Sequence, residues 1–477
     1  MMRKCIAGCG TILILGALLA MASPPAAARA EEQAANPPYS LAEYNAFQAA
    51  AGQTNGQGKI QACDDFVAKF PTSVLIPLID ELYYTGYNQA QNYPKVIEAV
   101  DKFMAIPDDK FTAVGLSKEA ATGKKLEALN VRAGAFLESL NPKDPNLQDQ
   151  LTKARAAALE GLKLLSELQK PASVTDEKFA EAKKPYAIRF NYTAGSTSYQ
   201  LKDYKSAIDY FTVELADNPT DAATYSQLGV SYVQLAAKQA PQPPSGGGSA
   251  PAADPAGQQQ STDLYMNGFW AIARSIGLKT PNAEQMRKYL HDQMFNYEQP
   301  TCGPLLDQQM DELVQLATNA PARPATYSIP SATDLGKVLQ SSNLISILGD
   351  LQAGGDKAKM TWLAACGQEF PNVVGKMTDV LPGTDSVDIK VFTAATGEAI
   401  LAGTTPNLDL AVTGQPEAAT LEKGNQIKFT GTLEKFDAQP LLVYFDKVKV
   451  DPSSYPTEKK EKVPGKKKPG ATERGRS

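Results

Sequence analysis

A spacing of 34 residues constrains this chain more than any other feature. Residues 188–221 read IRFNYTAGSTSYQLKDYKSAIDYFTVELADNPTD, and residues 222–235 start the pattern again as AATYSQLGVSYVQL. Gly195 and Gly229 stand 34 residues apart, with Tyr192 and Ser226 in matching places beside them. A unit of this length holds two helices and a turn, and it cannot bury its apolar side alone. Successive units must therefore stack. Within the unit, Gly195 and Ala207 are small, and Tyr204 and Phe211 are aromatic. Pro219 ends the second helix.

The pattern resembles the tetratricopeptide repeat (TPR) family. Counting Ile188 as position one, Gly195 falls at eight, Tyr204 at 17, Ala207 at 20, Phe211 at 24 and Pro219 at 32. The next unit supplies Leu228, Gly229 and Tyr232 at seven, eight and 11. The resemblance implies a superhelix whose concave face is lined by the first helix of each hairpin. The residues it places there are Arg189, Tyr192, Ser196, Tyr199 and Gln200, then Ala223, Ser226, Gln227, Val230 and Gln234. Some cytoplasmic members clamp a C-terminal carboxylate with Lys/Arg and Asn at these places. Tyr192 and Ser196 stand here instead, so that activity is not carried over. A Tyr/Ser/Gln groove suits a peptide or an extended protein segment.

The second unit is interrupted by residues 239–261, QAPQPPSGGGSAPAADPAGQQQS, which are too rich in breakers for a packed helix. Helical patterning resumes over 263–278, so an intact hairpin with a flexible insertion is expected, a domain boundary being the alternative. Upstream, residues 92–107 parallel 203–218, matching Tyr93 to Tyr204 and Val100 to Phe211. Residues 116–140 and 147–169 read as long amphipathic helices. Downstream, helices are expected over 283–297, 305–320, 332–352 and 357–370.

At Gly383 the character changes. Residues 387–393, 408–412, 426–436 and 441–450 alternate as short strands, which suggests a small barrel or sandwich. Gly431 inside a long strand, followed by a return strand, gives a loose resemblance to an oligonucleotide/oligosaccharide-binding (OB) barrel. Phe429, Phe436, Tyr444 and Phe445 read mainly as core, with a stacking platform as the alternative. The expected fold is mainly α: a TPR-like helical-hairpin superhelix, additional helices, then a small C-terminal β barrel or sandwich. The segments are a signal at 1–30, degenerate repeats at 31–170, TPR-like repeats at 171–298, a helical extension at 299–382, the β domain at 383–452 and a basic disordered tail at 453–477.

The N-terminus reads as an export signal. Arg3 and Lys4 precede the apolar run TILILGALLAMA, and Ala28-Arg29-Ala30 offers a cleavage site before Glu31. An uncleaved anchor is the alternative; Ile6-Ala7-Gly8-Cys9 precedes the run and is not a lipoprotein box. The protein is thus expected in the periplasm or secreted, with no membrane span after signal removal. Of the five cysteines, Cys5 and Cys9 leave with the signal. Cys302 and Cys366 are the candidate disulfide in that compartment, and Cys63, on the stripe Ile60, Cys63, Val67, Phe70, is expected to be buried.

Chemistry is sparse. The single histidine, His291, rules out zinc sites built on paired histidines and disfavours a Ser-His-Asp hydrolase. No phosphate-binding loop, nucleophile elbow or zinc-protease motif occurs. The carboxylate pairs Asp64-Asp65, Asp80-Glu81 and Asp108-Asp109 read as solvated helix faces. The net charge is −5; residues 1–30 carry three bases and no acid, and residues 456–477 carry eight bases and three acids, leaving −13 on residues 31–455. Such a body repels nucleic acid. The expectation is a non-enzymatic protein with no metal or cofactor, binding a protein or peptide of the cell envelope, with homo-oligomerisation left open. The alternative is an envelope oligosaccharide or polymer reader acting through the OB-like domain, the repeats serving for dimerisation.

Overall fold

The computed structural model describes residues 37–239 and 255–456 and divides into two compact units. One comprises residues 37–292 with 310–328; the other comprises 293–309 with 329–456. The expected signal, most of the insertion and the basic tail lie outside the described residues.

The first unit is a run of helices: α1 (Leu41–Ala51), α2 (Gly56–Lys69), α3 (Ile76–Gln89), α4 (Tyr93–Met104), α5 (Asp108–Ala113), α6 (Lys118–Ser139) and α7 (Leu147–Glu167). It continues with α8 (Asp176–Gln200), α9 (Tyr204–Asp217), α10 (Ala222–Gln239) and α11 (Pro255–Gly277), then most of α12 (Ala283–Glu298) and part of α13 (Gly303–Asn319). Side-chain caps start many of them. Asn55, Ser117, Thr175 and Asp203 each accept from a main-chain N–H three residues on.

The parallel between residues 92–107 and 203–218 is a repeated turn. Gln91 and Lys202 both take positive φ, 57° and 61°. The next residues, Asn92 and Asp203, each donate their N–H to a carbonyl five residues back, Tyr87 and Ser198, at 2.9 Å. Their side chains then cap α4 and α9. One left-handed residue thus reverses the chain in both hairpins.

Close helix contacts account for the small residues. A Cβ on Gly195 would stand 2.6 Å from the Phe211 ring, and Ala207 and Phe211 are fully buried. A Cβ on Gly229 would meet the Gly268 carbonyl at 2.9 Å, so α10 and α11 pack directly and form one hairpin. The helix after the insertion begins at Pro255, earlier than expected: residues 255–261 are helical, and Ser261 is buried against the array. Burial of this apolar face, about 25 cal/mol per Å², drives the stacking.

In the second unit, α14 (Ala332–Ser341), α15 (Leu344–Ala353) and α16 (Gly355–Ala365) precede a closed barrel. The single helix expected over 332–352 breaks at Ser342, because Asn343 caps a new helix in a capping box with Ser346. The strands are β1 (Glu369–Pro382), β2 (Ser386–Phe392), β3 (Leu408–Thr413), β4 (Gln426–Ala438) and β5 (Leu441–Val450), with α17 (Gly397–Ala402) between β2 and β3. Their order around the barrel is β1-β2-β3-β5-β4; β3 and β5 run parallel and every other pair antiparallel.

The β region starts at Glu369, which corrects the boundary at 383 and the helix expected to reach 370. Pro371, Asn372 and Gly375 made β1 unlike a strand. Residues 371 and 372 oppose the single Thr430 in a bulge, with Asn372 at φ 56°. The core holds Met377, Ile389, Val391, Leu410, Phe429 and Phe445, capped by Ile347, Leu351 and Trp362 of α15 and α16.

Candidate binding groove

The helices that open successive hairpins, α3, α6, α8, α10 and α12, are joined by a row of polar pairs. Lys124 of α6 donates to Glu81 of α3 at 2.6 Å. The Tyr186 hydroxyl of α8 donates to Glu127 of α6 at 2.6 Å. The Gln227 amide of α10 donates to the Tyr192 hydroxyl of α8 at 3.2 Å, and the Gln234 amide donates to the Tyr289 hydroxyl of α12 at 3.3 Å. Burial pushes the Glu127 carboxyl up and makes the Tyr186 phenol a weaker acid still.

Several sequence-assigned groove residues lie along this row. Tyr192, Gln227 and Gln234 are half-buried and bond across it, and Arg189, Val230 and Gln200 are half-buried beside it on α8 and α10. Tyr199 is half-buried too, its ring centroid 6.2 Å from that of Tyr204. Ser196 and Ser226 do not fit: they are 8% and 7% exposed, and the Ser226 hydroxyl donates to the Ala222 carbonyl of its own helix. Ser196 adjoins Gly195 and Ser226 lies one turn before Gly229, the glycines of the close helix contacts, and both are covered there.

Leu228 is buried, Tyr232 is half-buried, and the Lys238 ammonium lies 4.5 Å over the Tyr204 ring. Pro219 follows the end of α9, and its carbonyl accepts from Arg274 at 3.0 Å. Glu81, Lys124, Glu127, Tyr186 and Tyr289 were missed, because their partners lie one helix away and no local pattern marks them.

Elsewhere most of the candidate groups bond within the chain. The carboxylates of Asp64, Asp80, Glu81 and Asp108 accept from Tyr83, Lys102, Lys124 and Lys125. Cys302 and Cys366 form a disulfide with α-carbons 5.6 Å apart. Cys63 is a free, fully buried thiol, pushed up to about 12 by burial. Among the described residues no three His, Cys, Asp or Glu side chains gather as a metal site.

On the barrel, Phe429 and Phe445 meet edge to face inside the core, and Phe436 packs on Trp362. Tyr444 alone of the four lies on the outer face with a polar setting. Its hydroxyl donates to Asp437 at 2.7 Å, with Lys435 4.6 Å and Lys390 5.9 Å from the ring centre.

The fold is that of helical hairpin repeats followed by a closed five-stranded barrel. No protein-family model matches the chain, and no curated protein matches it. Among the described residues no helix is long and apolar enough to cross a membrane.

Proposed function

We propose that this is a non-catalytic, exported scaffold of the TPR type, which holds an extended protein segment along the first helices of its hairpins. The observation that carries the reading is the row Glu127–Tyr186, Tyr192–Gln227, Gln234–Tyr289. Hydroxyls and amides at regular helix spacing offer adaptable hydrogen bonds to a main chain laid across them. The −13 charge on residues 31–455 speaks against nucleic acid as the partner.

Two measurements test it. Intact mass of protein from its native envelope should begin at Glu31; a chain starting at Cys9 with attached lipid, or one retaining Met1, would overturn the reading of a soluble exported protein. Cross-linked capture from envelope fractions should enrich a defined partner with the wild-type chain and lose it with Tyr192→Ala/Gln227→Ala. Equal capture by both would remove the groove.

A second reading, an oligosaccharide or polymer reader, draws on the barrel. Its strand order is that of a five-stranded Greek-key barrel of the OB type, and Tyr444 offers a partly exposed ring on the outer face. Polymer binding that disappears in Tyr444→Ala and persists in the groove variant would favour it.

A further inference from the structure

Five of the six described arginines are engaged within the chain: Arg132, Arg155, Arg287 and Arg323 by carboxylates and Arg274 by main-chain carbonyls. Arg189 makes neither hydrogen bond nor ion pair among the described residues. It is half-buried on α8, one turn before Tyr192. Its guanidinium lies against Gly134 of α6, where a Cβ would come within 2.7 Å of Nη1. The absent side chain at 134 thus makes the room that the guanidinium occupies. Glu127, whose charge it feels, gives its carboxylate to Tyr186 and forms no ion pair with Arg189.

A half-buried guanidinium keeps five donors in a planar fork, which matches a carboxylate in two parallel hydrogen bonds. We propose that Arg189 anchors one side-chain carboxylate of the protein segment bound in the groove. The inference deepens the groove reading above and rests on it. The net charge of the body opposes an acidic tract. The segment that fits therefore carries a single Glu or Asp at this place, with neutral residues for the Tyr192–Gln227 and Gln234–Tyr289 steps. This is one cation over a glycine, on the same wall as the amide and phenol donors.

The test uses the full chain and two probes, N-acetylglutamate N-methylamide and its glutamine counterpart. Phenylglyoxal labels arginines, and peptide mass mapping reads each site separately. The glutamate probe should slow labelling of Arg189 by roughly tenfold at saturation while leaving Arg155 unchanged, and the glutamine probe should do nothing. Equal protection by both probes, or by neither, overturns the carboxylate anchor. Arg189→Gln separates this failure from that of the groove itself. Envelope capture that survives Arg189→Gln but fails in Tyr192→Ala/Gln227→Ala sinks the anchor and leaves the groove. Capture that survives both variants sinks both.

Discussion

The Gln227 amide reaches from α10 to the Tyr192 hydroxyl of α8, 3.2 Å away, and so ties the opening helices of consecutive hairpins. Both groups are half-buried, so water can replace either partner. Gln227→Ala should therefore cost only about 1 kcal/mol of stability. Thermal melting checks this, and a loss of several kcal/mol would show a structural strut instead of a binding surface.

The hairpin contact between α8 and α9 should tolerate nothing larger. Gly195→Ala would set a methyl 2.6 Å from the Phe211 ring, and Ala207 has no exposed surface. Each of Gly195→Ala and Ala207→Leu should cost ~1–3 kcal/mol. Lys202→Gly should do the opposite, gaining up to ~1 kcal/mol by relieving the residue of its φ of 61°. Denaturant midpoints decide it; a destabilising Lys202→Gly would mean that the lysine side chain, not the turn, matters there.

How much of this was legible follows from the range of each interaction. Gly195, Ala207 and Phe211 answer to contacts within one hairpin, so their spacing carries the signal. Strands β2 to β5 alternate plainly because one face of each is core. Strand β1 did not, since its bulge at Pro371–Asn372 and the glycine at 375 imitate a turn. The proposed groove was half-visible. Tyr192, Gln227 and Gln234 sit on the repeat register, but Glu127 and Tyr289 join them only through contacts between hairpins. Ser196 and Ser226 show the reverse error, polar residues on the register that the fold buries.

The disulfide ties the loop before α13 to the end of α16 across 64 positions of sequence. On the chain-entropy model its reduction should cost the second unit ~4 kcal/mol. Non-reducing peptide maps should show Cys302 linked to Cys366, and Cys63 should alkylate only on unfolding. Rapid alkylation of Cys63 in the native protein, or three free thiols from an oxidising compartment, would contradict this arrangement.

Glu214 gives the first unit a pH dependence of definite sign. Its side chain, 1% exposed near the end of α9, has one oxygen bonded to the Asn218 amide at 3.0 Å, and its burial outweighs that bond and the nearby Thr224 hydroxyl. Burial raises its pKa from 4.5 to about 7. The unfolded chain therefore loses this proton more readily than the folded one. The favourable contribution is complete below pH 4.5 and declines as pH rises toward 7, by ~3 kcal/mol in total. Glu214→Gln keeps the size, remains neutral and should remove that decline, so the variant gains on the wild type as pH rises from 4.5 to 8. Denaturant titrations of the two proteins across that range measure the difference. Parallel stability curves would mean that the carboxyl is ionised in the fold, its hydrogen bonds outweighing its burial.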